Sequence, residues 1–324
     1  MSSRSLRSGL WLFPDRPAAE LVEAIVYAEE LGLDEIWLGD EGPAREPFTV
    51  LGAAAVRTER IRLGIGVTNP YVRHPGIAIA TAATIAELAG PRVLLGVGAG
   101  GTLSLGPFEL EAPRPLAAVR DFLSIARASR DGTAVPGYVP SELSVTAAAP
   151  PVSLYVGARG PRLNTLASEV ADGAFVAGMP PFRFGEVIGW TRSVNPIDVA
   201  LYPSAALDDA SKERNRPEMV WALLDSPPEL YDRFDLRRSD VEAAAEAIRA
   251  GDRGPAADLI HDDLLAELLL IGEPDVVGGR LADLVRAHRP ASIGLAVITD
   301  DLPATIEAAA QTFTSMRKAL TRRP

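Results

Sequence analysis

IRLGIGVTNPYVRHP, residues Ile61 to Pro75, opens as an apolar strand, holds two glycines, and breaks off in Thr68, Asn69, Pro70, Tyr71, Arg73 and His74 before a helix begins. A strand that ends in polar residues and hands over directly to a helix is part of a βαβ unit. In parallel α/β proteins the C-terminal strand ends carry the chemistry. Gly64 and Gly66 remove side chains where a flat ring could approach the backbone. A bulged core strand with a polar loop is the plainer reading of the same residues.

The rhythm repeats on both sides of this stretch. Strand starts at Asp34, Ile61 and Arg92 lie 27 and 31 residues apart, a spacing suited to βαβ units. Before them come a short apolar run from Gly9 to Phe13 and a helix from Pro17 to Leu31, with Leu21, Val22, Ile25 and Ala28 on one face and Gly32 as its stop. After them, Val152 to Gly157, Ala174 to Ala177, Ile197 to Tyr202 and Ser292 to Ile298 read as strands separated by helical patterns. Eight strands alternating with helices predict a closed (β/α)8 TIM barrel, with residues 1–324 as a single domain. From Ser204 to Ile271 the pattern turns helical and charged, which predicts an insertion near the C-terminal third. Within it, Ser239 and Glu242 are spaced as a capping box and Gly251 stops that helix. The segment Leu103 to Pro115 contains three prolines after the fourth strand. It cannot be one regular helix and is a candidate lid.

Composition narrows the chemistry. The chain has 47% hydrophobic residues and no cysteine, so disulfides, thiolate metal sites and a cysteine nucleophile are excluded. His74, His261 and His288 are the only histidines, none at metal-ligand spacing from another, and no metal site is expected. A net charge of −11 argues against a nucleic-acid partner. No window reaches the roughly 18 to 20 apolar residues of a membrane span, and Leu10 to Phe13 is too short for a signal peptide. A cytoplasmic protein acting on a small molecule is the expectation.

Several motifs fall at strand ends. Gly96, Gly98 and Gly101 match G-x-G-x-x-G, but prolines follow and the strand is the fourth, so a Rossmann site is disfavoured. The alternative is that Gly98, Gly100 and Gly101 clear the barrel mouth for a planar ligand. Ala158, Arg159 and Gly160 lead into a helix with Pro161 at its first position, and with Arg162 this turn suits a phosphate; a tight βα turn with exposed arginines is the equal alternative. Asp40 and Glu41 follow strand two at the catalytic rim, where a carboxylate can orient substrate or pass a proton. Capping or ion pairing competes with chemistry for Asp40, and Glu41 is the better candidate for touching substrate. His74 reads as a brace for the helix that Pro75 begins.

Taken together, AEELGLDEIWLGD (Ala28 to Asp40), LGIGVTNPYVRHP (Leu63 to Pro75), RVLLGVGAG, GARGP, EVADG (Glu169 to Gly173) and IGEPDVV (Ile271 to Val277) resemble the luciferase-like flavin and deazaflavin oxidoreductases. The similarity is greatest to the methylene-tetrahydromethanopterin reductase type, which uses coenzyme F420. The resemblance implies a barrel of the bacterial luciferase type and an F420-dependent oxidoreductase, with an FMN-dependent monooxygenase as the alternative cofactor class. It implies a non-proline cis peptide at Gly66-Val67 backing the ring, with the ring between strand three and the rim at Asp40, Asn69 and Gly98. The phosphate would lie near Ala158 to Arg162, and a homodimer or larger assembly is implied. The chain departs from the pattern at the mouth. Trp11 stands where an acid is usual on strand one, Glu41 where a histidine often follows Asp, and Gly101 or Thr102 where an acid follows the strand-four glycines. Trp11 points to a more apolar or narrower pocket. Loss of rim acids also admits a degenerate, non-catalytic barrel that acts as a binding protein.

Overall fold

A computed structural model describes residues 6–144, 148–224 and 226–322. Eight parallel strands close into a barrel: β1 Arg7–Leu12, β2 Glu35–Leu38, β3 Arg62–Thr68, β4 Val93–Val97, β5 Ser153–Gly157, β6 Gly173–Ala177, β7 Asp198–Tyr202 and β8 Ser292–Val297. Around them run α1 Ala18–Glu30, α2 Pro47–Ala55, α3 Pro75–Ala89, α4 Pro115–Asp131, α5 Pro161–Val170, α6 Phe184–Thr191, α7 Pro274–His288 and α8 Leu302–Thr321. Each strand and its period-matched helix agree with the alternation read from the sequence.

Alternation within the strands divides the apolar residues into two cores. Outward-facing Leu10, Leu12, Ile36, Leu38, Leu63 and Ile65 bury against the helix ring. Inward-facing Trp37, Leu94, Tyr155, Phe175, Ala200 and Tyr202 fill the lumen, with Trp11, Val67 and Ala177 partly exposed against them. Trp37 and Phe175 rings stand 4.5 Å apart, and Phe175 and Tyr202 rings 5.1 Å. The barrel is a packed core rather than a pore.

Below these rings the N-terminal end is closed by buried charge. Glu35, which has no exposed surface, accepts from Arg7 at 3.1 Å, Arg62 at 3.3 Å, Tyr202 at 2.8 Å and Trp37 Nε1 at 3.1 Å. Desolvation pushes its pKa up, but Ser292, Arg62, Arg7 and Tyr202 outweigh that and hold it below the usual carboxylate value.

Between β7 and α7 the chain runs through helices 209–215, 219–224, 228–233, 238–249, 254–259 and 262–268, of which the last five share a second apolar core containing Val220, Leu223, Val241, Ala245 and Leu265. Two sequence expectations change here. The stretch is not purely helical, because Ala205–Ala206 pairs in parallel with Leu270–Ile271. Ser239 and Glu242 form no capping box: the N-cap is Arg237, two residues earlier, the helix begins at Arg238, and Glu242 instead pairs with Arg238 at 2.9 Å. The capping box is formed by Asp208 and Ser211. Gly251 does end the helix, at φ 88°, as the periodicity required.

Candidate active site at the barrel mouth

The end of β3 is irregular: its register against β4 shifts between Ile65 and Thr68, and the Gly66-Val67 peptide is cis, where the resemblance placed it. Val67 points into the lumen. A side chain on Gly96, Gly98 or Gly157 would meet Val67 within 2.6, 2.9 or 2.8 Å. These glycines of β4, β5 and the loop beyond β4 therefore make room for Val67, which forms the floor of the mouth with Trp11 and Ala177.

This corrects the reading of the glycines as a direct clearing for a ligand. A Cβ on Gly64 would sit 2.5 Å from Trp37 Cδ2, so the flat ring that Gly64 admits is the chain's own indole. At Gly100, with φ 77°, the open space is filled by Leu105. Gly66 keeps its place at the floor: its carbonyl accepts the Trp11 Nε1–H at 2.5 Å.

Beyond Val67, Asn69 is 1% exposed. Its Oδ1 accepts the amides of Tyr71 and Val72, each at 3.0 Å, while its buried Nδ2 has no partner within the chain. That Asx turn fixes the loop and leaves a buried donor without a partner in the chain. Asp40 is buried beside it. Its Oδ2 has no hydrogen bond, and burial raises the pKa, with Glu46 adding to the rise; Thr68 and Arg73 favour the charged form but do not reverse it. The capping role considered for Asp40 belongs to Glu46, whose carboxylate accepts from Phe48 and Thr49 and binds Arg73 at 2.8 Å. Arg73 also lies 4.4 Å over the Phe48 ring.

Glu41 is half-buried and accepts from Ser104 Oγ at 3.1 Å. The proline-rich segment after β4 forms a helical turn at Thr102–Leu105, a 3-10 turn at Gly106–Phe108, and left-handed residues at Glu109 and Arg114. Glu41 ties its start to the β2 loop, and Tyr71 Oη ties its end to the β3 loop by donating to Pro113 O at 3.0 Å. His74 caps α3 by accepting from Gly76 N, the bracing role read from the sequence.

On the other side of the mouth, α5 starts at Pro161 with Gly160 as N-cap and no side-chain cap. Asn164 shapes the turn, its Nδ2 donating to Ala158 O and Gly160 O at 3.1 and 2.8 Å. Arg162 is exposed. Arg159 does not point out with it: the guanidinium donates to Ala222 O at 3.2 Å, tying the turn to helix 219–224. Trp37, Ser104 and Asn164 carry no sequence signal, since Trp37 and Ser104 work through partners more than 50 residues away and Asn164 through a turn whose shape no short pattern encodes; Glu46 works at short range, and its place just before Pro47 is a usable capping signal.

The uncapped α5 terminus, the uncharged floor and the unpaired donor of Asn69 together fit a planar cofactor with a phosphate-bearing tail. The luciferase-like monooxygenase family matches residues 5–289. The chain belongs to that family. To this luciferase-like chain the 5,10-methylenetetrahydromethanopterin reductase of Archaeoglobus fulgidus is 29% identical over 310 residues, which cover 87% of this chain and 91% of that protein. An F420-dependent glucose-6-phosphate dehydrogenase of Microbacterium testaceum is 34% identical over 272 residues, 72% of this chain and 78% of the relative. The solved coenzyme F420 dependent tetrahydromethanopterin reductase from Methanopyrus kandleri matches with a TM-score of 0.81 and 26% identity, over 95% of this chain and 98% of that one. Among the described residues, no helix of the luciferase-like chain is long and apolar enough to cross a membrane, and no group of acidic and histidine side chains is arranged to hold a metal.

Proposed function

We propose that this protein is an oxidoreductase that uses coenzyme F420 to pass a hydride to or from a small organic substrate, within one barrel domain that carries the 204–271 stretch as an insertion. The observation that carries the reading is the mouth floor, where Val67 and the cis Gly66-Val67 peptide face a rim that holds buried Asp40 and the uncapped start of α5. The bound deazaflavin supplies the hydride chemistry; the chain supplies position and exclusion of water. Gly66, Val67 and Asn69 support the ring, with Asn69 Nδ2 as the donor to its polar edge. Ala158, Gly160 and Arg162 receive the phosphate, and Arg159 holds the turn against the helix above it. Gly64, Gly98 and Gly100 contribute from below by seating Trp37, Val67 and Leu105. Asp40, whose burial favours the protonated form, is the proton donor or acceptor at the rim, and Glu41 closes the proline-rich segment over it.

Titration with F420 and FMN in parallel, followed by quenching of cofactor fluorescence, tests the reading. Binding of F420 in preference to FMN is expected. Preference for FMN would turn the assignment to a monooxygenase, and binding of neither to a non-catalytic barrel.

We also propose that the protein self-associates. The apolar side chains of the 204–271 stretch are turned into their own core, and among the described residues none of its large hydrophobics is strongly exposed. The face that serves is instead the outer side of α3, with Ile77 59% and Leu88 56% exposed. Light scattering of Ile77→Asp, compared with the parent, should show a smaller particle.

A further inference from the structure

Trp11 sits at the far side of the mouth from the proposed phosphate turn. In the barrel order β1 and β5 are diametrically opposed, four strands apart in either direction. A ligand with its phosphate at the β5 turn and its ring over Val67 on β3 therefore extends toward β1. There it meets the indole of Trp11, which is partly exposed, lies 6.0 Å from the Phe13 ring and is anchored by its hydrogen bond to Gly66 O. A Cβ on Gly39 would lie 2.9 Å from Trp11 Cζ2, so the neighbouring strand end is cut away to accept the ring.

Most charges around that end are spent on one another, while exposed Arg45 on the β2 loop donates to Asp15 O at 3.1 Å. Arg16 donates to Thr299 O and pairs with Asp15 and Asp300 at 3.7 Å. Arg214 pairs with Glu218 at 2.8 Å and Asp300 at 3.3 Å. Arg73, on the β3 side, is held by Glu46 at 2.8 Å. An anionic group placed over Trp11 would lose its hydration against an apolar floor while Arg16, Arg73 and Arg214 are each already held by a carboxylate, in a chain of net charge −11.

From this geometry we infer that Trp11 is a specificity-determining residue, and that the second compound bound beside the cofactor is flat and uncharged, without phosphate or carboxylate. The inference rests on the proposed cofactor placement, which sets the orientation, but the charge selectivity of the Trp11 wall is a property of the chain alone.

The test uses the full chain labelled with 15N at its four tryptophans. The Trp11 Nε1–H signal is assigned by its loss in Trp11→Phe. Acetophenone and 4-acetylbenzoate, which differ by one carboxylate, are titrated with and without F420. Acetophenone should move the Trp11 signal, and 4-acetylbenzoate should bind at least about tenfold more weakly, the effect of bringing a charge to an apolar wall. Trp11→Phe, which keeps a ring, should retain the discrimination; Trp11→Ala should reduce it to about twofold or less. Equal affinity of the two probes for the parent chain, an unmoved Trp11 signal, or undiminished discrimination in Trp11→Ala would overturn the inference. Should Trp11→Ala not fold, Trp11→Leu takes its place with the same expected loss. Absence of F420 binding with charge discrimination intact would defeat the cofactor assignment and leave the Trp11 wall standing.

Discussion

Asp40 is the side chain on which the proposed chemistry turns. Burial holds its carboxyl above the ordinary 3.8, so the folded chain binds this proton more tightly than the unfolded chain does. Ionised Asp40 therefore costs stability above the folded pKa, and the cost fades as pH falls toward the unfolded value. Asp40→Asn should melt higher than the parent at neutral pH, with the two curves converging in acid, while turnover with F420 falls by about 10² to 10⁴. Thermal melts across pH and single-turnover kinetics read the two effects separately. At the opposite rim, Arg162→Glu should weaken F420 by about tenfold or more, the scale of a charge-assisted hydrogen bond, without changing the melting temperature. Fluorescence titration measures it. An equal loss of melting temperature would show that the exposed arginine serves the fold instead.

The strand–helix series was legible because each element carries its own signal: period-two or continuous apolar runs for strands, apolar faces for helices, and Pro75, Pro161 and Gly251 at helix ends. What was not legible is where the glycines of a strand point. Gly64 reads alone as open space, and only the register that sets it opposite Trp37 shows that the space is taken. Gly64→Ala puts a methyl 2.5 Å from the indole and should cost about 1 to 3 kcal/mol or more, measured by urea unfolding. The helix 238–249 went wrong at its start for a related reason. Ser239 and Glu242 have the spacing of a cap, but the chain enters the helix two residues earlier, and Arg238 can then reach Glu242 one turn on. Glu46 at the start of α2 is a cap by geometry; Glu46→Ala should cost about 0.5 to 2 kcal/mol and release Arg73.

At the scale of the molecule, barrel closure gathers Arg7, Glu35, Arg62 and Tyr202 from four strands into one buried cluster. Glu35 titrates below the usual value, so its contribution is complete above the unfolded carboxylate pKa of about 4.3 and disappears as pH falls through the lower folded one. Glu35→Ala leaves Arg62 without its carboxylate and Arg7 with Asp198 alone at 3.4 Å, and should destabilise the chain by about 3 to 5 kcal/mol at neutral pH, with less difference in acid. Denaturant unfolding at two pH values decides this. The same cluster, with the aromatic layer above it, leaves the barrel with a single doorway. Whatever enters past Trp11 must leave by the same route, so departing product and arriving substrate compete for one passage. Steady-state inhibition by product should accordingly be competitive with the substrate, and a residue that narrows the doorway will slow release as much as it sharpens selection.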